Sequence, residues 1–129
     1  MINILKFSKY FILVSLCFMQ GFPAGAETIE LENPDDIKLA AKLNQSMDNL
    51  SSKVMNCIDE GGTIEQCGCT ECSCKFTAEY AAFKKAYKDA LATYPDWDEK
   101  IIFYQLEGNP TGYNINFAGL KKQFSMKCE

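Results

Sequence analysis

From residue 34 onward, apolar and polar positions follow a helical period. Ala40, Leu43, Met47, Leu50, Val54 and Cys57 recur at steps of three and four, and Ile37 and Ile58 widen the stripe. Asn33 suits an N-cap, Pro34 suits the first helical position, and Asp35 and Asp36 complement the positive end of the helix dipole. Gly61-Gly62 supplies the stop. The pattern predicts an amphipathic helix of about 26 residues, roughly 39 Å long. A compact domain of this size is only about 33 Å across. The stripe is expected to be a core face, with one end projecting or with part of it pairing two copies into a homodimer.

Thr63-Ile64-Glu65-Gln66 fits a capping box for a single helical turn. Phe76, Tyr80, Phe83, Tyr87, Ala90 and Tyr94 then recur with the same period, while Lys84, Lys85, Lys88 and Asp89 take the opposite face. Pro95 biases Tyr94 away from helical geometry, so this second helix is expected to end near Thr93. Ile101 to Leu106 is rich in β-branched and aromatic residues. Glu107 to Gly112 carries turn chemistry, and Tyr113 to Phe117 alternates apolar with polar. These segments predict a β-hairpin with Tyr113, Ile115 and Phe117 toward the helices and Asn114 and Asn116 toward water. Leu120 to Phe124 closes the chain as a short helix that delivers Cys128. Glu27 to Glu32 shows no period, and no element is expected there. The fold class is therefore α+β: two amphipathic helices flanking a cysteine-rich loop, then a hairpin and a short C-terminal helix.

The N-terminus belongs to a different class of sequence. Lys6 and Lys9 precede an apolar run, Tyr10 to Met19, and Ala24-Gly25-Ala26 has the small-x-small form of a signal peptidase site. Residues 1–26 are expected to be a cleaved secretory signal peptide, and residues 27–129 a single disulfide-stabilised domain. The apolar run is about half the roughly 20 residues a membrane span needs, which argues against a retained anchor. Cys17 raises the alternative of a lipoprotein, but Leu16 before it is not the small residue such processing wants. The expected location is the periplasm or the external medium.

Without residues 1–26 the chain holds 11 lysines, no arginine and 17 acidic residues. Such a balance does not suit nucleic acid, which needs a basic face. There is no histidine, which removes the commonest general base, every His-containing zinc site and the usual Ser-His and Cys-His pairs. No phosphate loop or nucleophile elbow is present, and no cofactor is expected.

Six cysteines remain beyond residue 26: Cys57, Cys67, Cys69, Cys72, Cys74 and Cys128. An even number in an exported chain predicts three disulfides. A bridge within a Cys-x-Cys pair is strained by the narrow disulfide geometry. Cys57 and Cys128 are therefore expected to pair into the central run, and the remaining two to bridge locally; spacing does not choose among the pairings. Two other chemistries compete. Cys67, Cys69, Cys72 and Cys74 offer four soft thiolates for zinc or copper(I), and the run resembles the short Cys-x-Cys units of metallothioneins over eight residues. Cys69-Thr70-Glu71-Cys72 is formally the Cys-x-x-Cys of thiol-disulfide oxidoreductases, but no strand precedes it and Glu71 opposes a thiolate.

Two surfaces are candidates for contact with a protein or small-ligand partner. Asp96, Asp98 and Glu99 surround Trp97, in a form that suits a sugar or a cation, although neighbours in one turn rarely converge. Asn114, Asn116, Lys121 and Lys122 could form a polar face on the hairpin, whose edge could accept a partner strand. Taken together, the sequence points to a non-catalytic exported interaction module, with metal binding as the alternative.

Overall fold

In the computed structural model, which describes residues 26–128, the long apolar stripe lies on helix α1, Pro34–Asp59. The expected signal peptide lies outside the described residues except for Ala26, and Cys17 lies outside them too. Asn33 caps α1, its side-chain oxygen accepting from the Asp35 amide at 2.8 Å. Thr63 and Gln66 form both bonds of the capping box at the start of α2, Ile64–Cys67. Helix α3 covers Thr77–Thr93, and the chain leaves it through a 3-10 turn, Pro95–Trp97, that buries Trp97. Strands β2, Ile101–Gln105, and β3, Gly112–Asn116, form the hairpin, and α4, Phe117–Phe124, follows.

Ala40, Leu43, Leu50, Val54 and Met55 of α1 are buried, so the stripe faces the core along most of the helix. It packs along α3 and against β2. Both ends are tied down. The Tyr94 hydroxyl donates to the Asp36 carboxylate near the start, and Cys57 is bonded to Cys67 near the end. The opposite, polar face carries exposed Lys38, Lys42, Gln45, Asn49 and Lys53. On α3, Phe83, Ala86, Tyr87 and Ala90 are buried, as the aromatic period predicts. Tyr87 stacks on Phe117 at 5.7 Å between centroids, and Phe124 meets both Phe83 and Tyr87 at 5.0 and 4.9 Å. Burying each such side chain contributes on the order of 2 kcal/mol.

Two features depart from the sequence pattern. Residues 28–30, which show no period, form strand β1, Thr28–Glu30. It pairs in parallel with β2, Thr28 opposite Ile101 and Glu30 opposite Phe103. The sheet is thus three-stranded in the order β1-β2-β3, with the hairpin's first strand in the centre. Three residues are too few to display an alternation, and their partner lies near the other end of the chain. The last strand also stops one residue early. The Asn116 side chain accepts from the Gly119 amide at 3.1 Å, capping α4 so that it begins at Phe117 rather than Leu120. Phe117 still faces the core. Among the described residues, no helix is long and apolar enough to cross a membrane.

Candidate functional site

Gly61 and Gly62 turn the chain from α1 to α2 and set Cys57 against Cys67. Gly61 has a φ of 101°, and the Gly62 amide donates to the Cys57 carbonyl at 3.0 Å. Gly62 lies so close that a Cβ there would stand 2.3 Å from the Cys67 sulfur and 3.0 Å from the Cys57 sulfur. Cys69 and Cys74 are bridged to each other across a tight loop. Within it the Thr70 amide donates to the Ser73 carbonyl at 2.9 Å, and the Thr70 hydroxyl accepts from the Cys72 and Ser73 amides at 3.2 Å. Cys72 stands at the loop tip, bonded to Cys128 beyond α4. One bridge thus closes the end of α1, one clips the loop, and one ties the C-terminal tail to that loop.

Glu71 holds the same loop on α3. Its carboxylate accepts from the Tyr80 hydroxyl at 2.6 Å and is paired with the Lys84 ammonium. The Lys84 hydrogen bond, and then that of Tyr80, hold the Glu71 carboxyl below its ordinary range. Glu71 therefore acts as an anchor for the loop. On the other side of the knot, the Lys75 ammonium is 3.9 Å from the Cys57 sulfur, beside a shallow groove lined by Glu60, Gly62 and Gln66. Cys67, Cys69, Cys72 and Cys74, the four candidate thiolates, are distributed over the three bonds. In that state they are not thiolates, so a metal would have to displace every bridge. The Cys69-x-x-Cys72 pair is likewise not bonded to itself.

The acidic turn is committed to the fold. Trp97 is only 3% exposed and stacks on Tyr94 at 4.7 Å. Asp98 and Glu99 both reach Lys121, at 3.3 and 3.8 Å, joining the turn to α4. Glu99 adopts a φ of 62°, while Asp96 points to solvent. Of the four polar hairpin residues, Asn116 is the α4 cap and Lys121 is held in the ion pairs, whereas Asn114 and Lys122 are exposed.

A different polar cluster forms where α1 crosses the hairpin. The Tyr104 hydroxyl is hydrogen-bonded by the Asn44 side chain, and its ring stacks on Tyr113 at 5.1 Å. Asn109 donates to the Tyr113 hydroxyl at 3.2 Å. Burial pushes the Tyr104 pKa up to about 12, and desolvation raises that of nearby Asp48. The only signal of this cluster in the sequence was the i, i+4 pair Asn44 and Asp48 at the margin of the apolar stripe. Its phenol is neutral at ordinary pH and locked in the core, which suits a packing role.

The sheet has two outer edges. That of β1 is three residues long, ends in acidic Glu30 and is followed closely by Glu32. Short length and charge are the usual protection of an edge. The outer edge of β3 has neither: Gly112-Tyr113-Asn114-Ile115-Asn116 is five residues long and uncharged. The Phe117 amide donates to the Lys100 carbonyl, which sets the alternation of the ladder. Tyr113 and Ile115 therefore direct their backbone groups to β2, while those of Asn114 point outward. Comparison with protein-family models, curated proteins and solved structures returns no match for this chain.

Proposed function

We propose that the protein is a non-catalytic, exported interaction module that adds an extended segment of another protein to the outer edge of β3. The observation that carries this reading is the contrast between the two edges: β1 is short and charged, whereas β3 is longer, uncharged and has outward backbone groups at Asn114. Strand addition uses such groups for affinity and neighbouring side chains for specificity. Phe103 and Ile101 lie half-buried on the solvent face of the same sheet, between Asn114 and Asn116 on one side and Thr28 and Glu30 on the other. They lie one strand in from the β3 edge, and the Phe103 ring covers Gly112, bringing an apolar surface toward an incoming strand.

The three disulfides support the same reading, since they fit a small extracytoplasmic module. Charge selects the partner. With 17 acidic residues against 11 lysines over residues 27–129, two copies repel each other, and a neutral or basic segment is favoured. Asn114→Pro removes the one edge donor at the centre of β3 without touching the β2 ladder. Proteins of the cell envelope are to be captured on the wild type and on this variant, with the fold of each checked by circular dichroism. A partner that binds the wild type and is lost from folded Asn114→Pro is the expected result. Partners that bind both forms equally, or dimerisation of the protein through β3, would overturn the assignment.

A further inference from the structure

The three disulfides differ in what happens to the sulfur that leaves when one is attacked. In Cys57–Cys67, Cys67 is completely buried, and in Cys69–Cys74, Cys69 is 2% exposed. Their partners Cys57 and Cys74 are half-buried. A thiolate reaching Cys57 or Cys74 would therefore expel the electron pair onto a sulfur in the apolar core, where a thiolate is disfavoured. The Lys75 ammonium beside Cys57 attracts an attacking anion but does nothing for the buried leaving sulfur. Direct approach to Cys67 is closed by Gly62, which packs against it.

Cys72 and Cys128 are both exposed. Whichever is attacked, the departing sulfur is in water. The two ends are also held differently. Cys72 sits at a loop tip fixed by the Cys69–Cys74 bridge, by the Thr70 hydroxyl and by the Glu71 contacts to Tyr80 and Lys84. Cys128 lies beyond the last residue of α4, in a stretch without secondary structure. Helix α4 does not depend on this bond for its place, because Phe117, Leu120 and Phe124 are packed in the core.

We propose that Cys72–Cys128 is a thiol-disulfide exchange site for small-molecule thiols, opened in the folded protein while the other two bridges stay closed. The thiolate sulfur of the small thiol bonds to one cysteine sulfur as the Cys72–Cys128 bond breaks. The other cysteine sulfur leaves with the electron pair and takes a proton from water. A second thiol displaces the first from the mixed disulfide, leaving two protein thiols and the oxidised small-molecule disulfide. Reversal is favoured because the loop keeps Cys72 in position.

The test treats the oxidised protein, under native conditions, with reduced glutathione and quenches at intervals with iodoacetamide. Peptide mapping then reads alkylation and glutathione adducts at each cysteine, with circular dichroism followed in parallel. Modification of Cys72 and Cys128 roughly tenfold or more faster than at the other four, with helical signal retained, is expected. Faster opening of Cys57–Cys67 or Cys69–Cys74, or modification of all six together with loss of helical signal, would overturn the proposal. Absence of any exchange before the protein unfolds in denaturant would overturn it as well. As a second measure, the Cys72→Ser/Cys128→Ser double variant should keep its remaining four cysteines inert to glutathione on the same time scale. Equal reactivity of those four in the double variant would contradict the inertness of the two remaining bridges.

Discussion

At Gly62 the constraint is one of space. A methyl group there would meet the Cys67 sulfur at 2.3 Å and the Cys57 carbonyl at 2.9 Å, and neither is the free end of a flexible side chain. Gly62→Ala is expected to destabilise the fold by about 1–3 kcal/mol, read as a lower urea midpoint. Tyr104 makes a prediction about pH. Its folded pKa of about 12 lies above the ordinary value of 10.0, so the unfolded chain releases the phenolic proton first. Stability is then complete below pH 10 and falls as pH rises toward 12, by up to about 2–3 kcal/mol. Tyr104→Phe should flatten the alkaline fall in the denaturation midpoint. Glu71 works in the opposite direction. Its folded pKa is lowered, so its contribution is present above the unfolded value of 4.5 and is lost as pH falls below it. Glu71→Gln should remove that acid-side slope. None of these couplings was legible in the sequence, because each depends on residues brought together from separate elements.

Among the elements, periodicity was enough to identify α1, α3 and the hairpin, because each displays several turns or several alternations. Caps located their ends, as Asn33 and the Thr63–Gln66 pair show. Two elements escaped for physical reasons. Strand β1 is three residues long and owes its form to pairing with β2. The start of α4 was set by a single side chain, Asn116, whose cap converts the end of a strand into a helix start. Asn116→Ala should therefore cost about 1 kcal/mol, measured by denaturant unfolding. The candidate site followed the same division. The hairpin edge was readable as an edge, but not which side of it was open: among the described residues, β1 pairs with β2 and no strand pairs with the outer side of β3.

For the whole molecule, the cysteines decide how the parts are held. The Cys72–Cys128 bond spans 56 residues and links the loop to the chain's end. In the chain-entropy view such a closure is worth about 4 kcal/mol. Cys72→Ser/Cys128→Ser should lower stability by that order while keeping the helical spectrum, since α4 retains its aromatic packing. The proposed role of the sulfurs is to hold a scaffold whose surfaces act, with Cys72–Cys128 alone open to exchange, rather than to hold a metal. It is tested most directly by intact mass and peptide mapping of the proposed mature protein, residues 27–129, alkylated without prior reduction. No alkylation and three linked pairs, Cys57–Cys67, Cys69–Cys74 and Cys72–Cys128, are expected. Alkylated thiols in the Cys67 to Cys74 run, with a metal retained by the unalkylated protein, would contradict it.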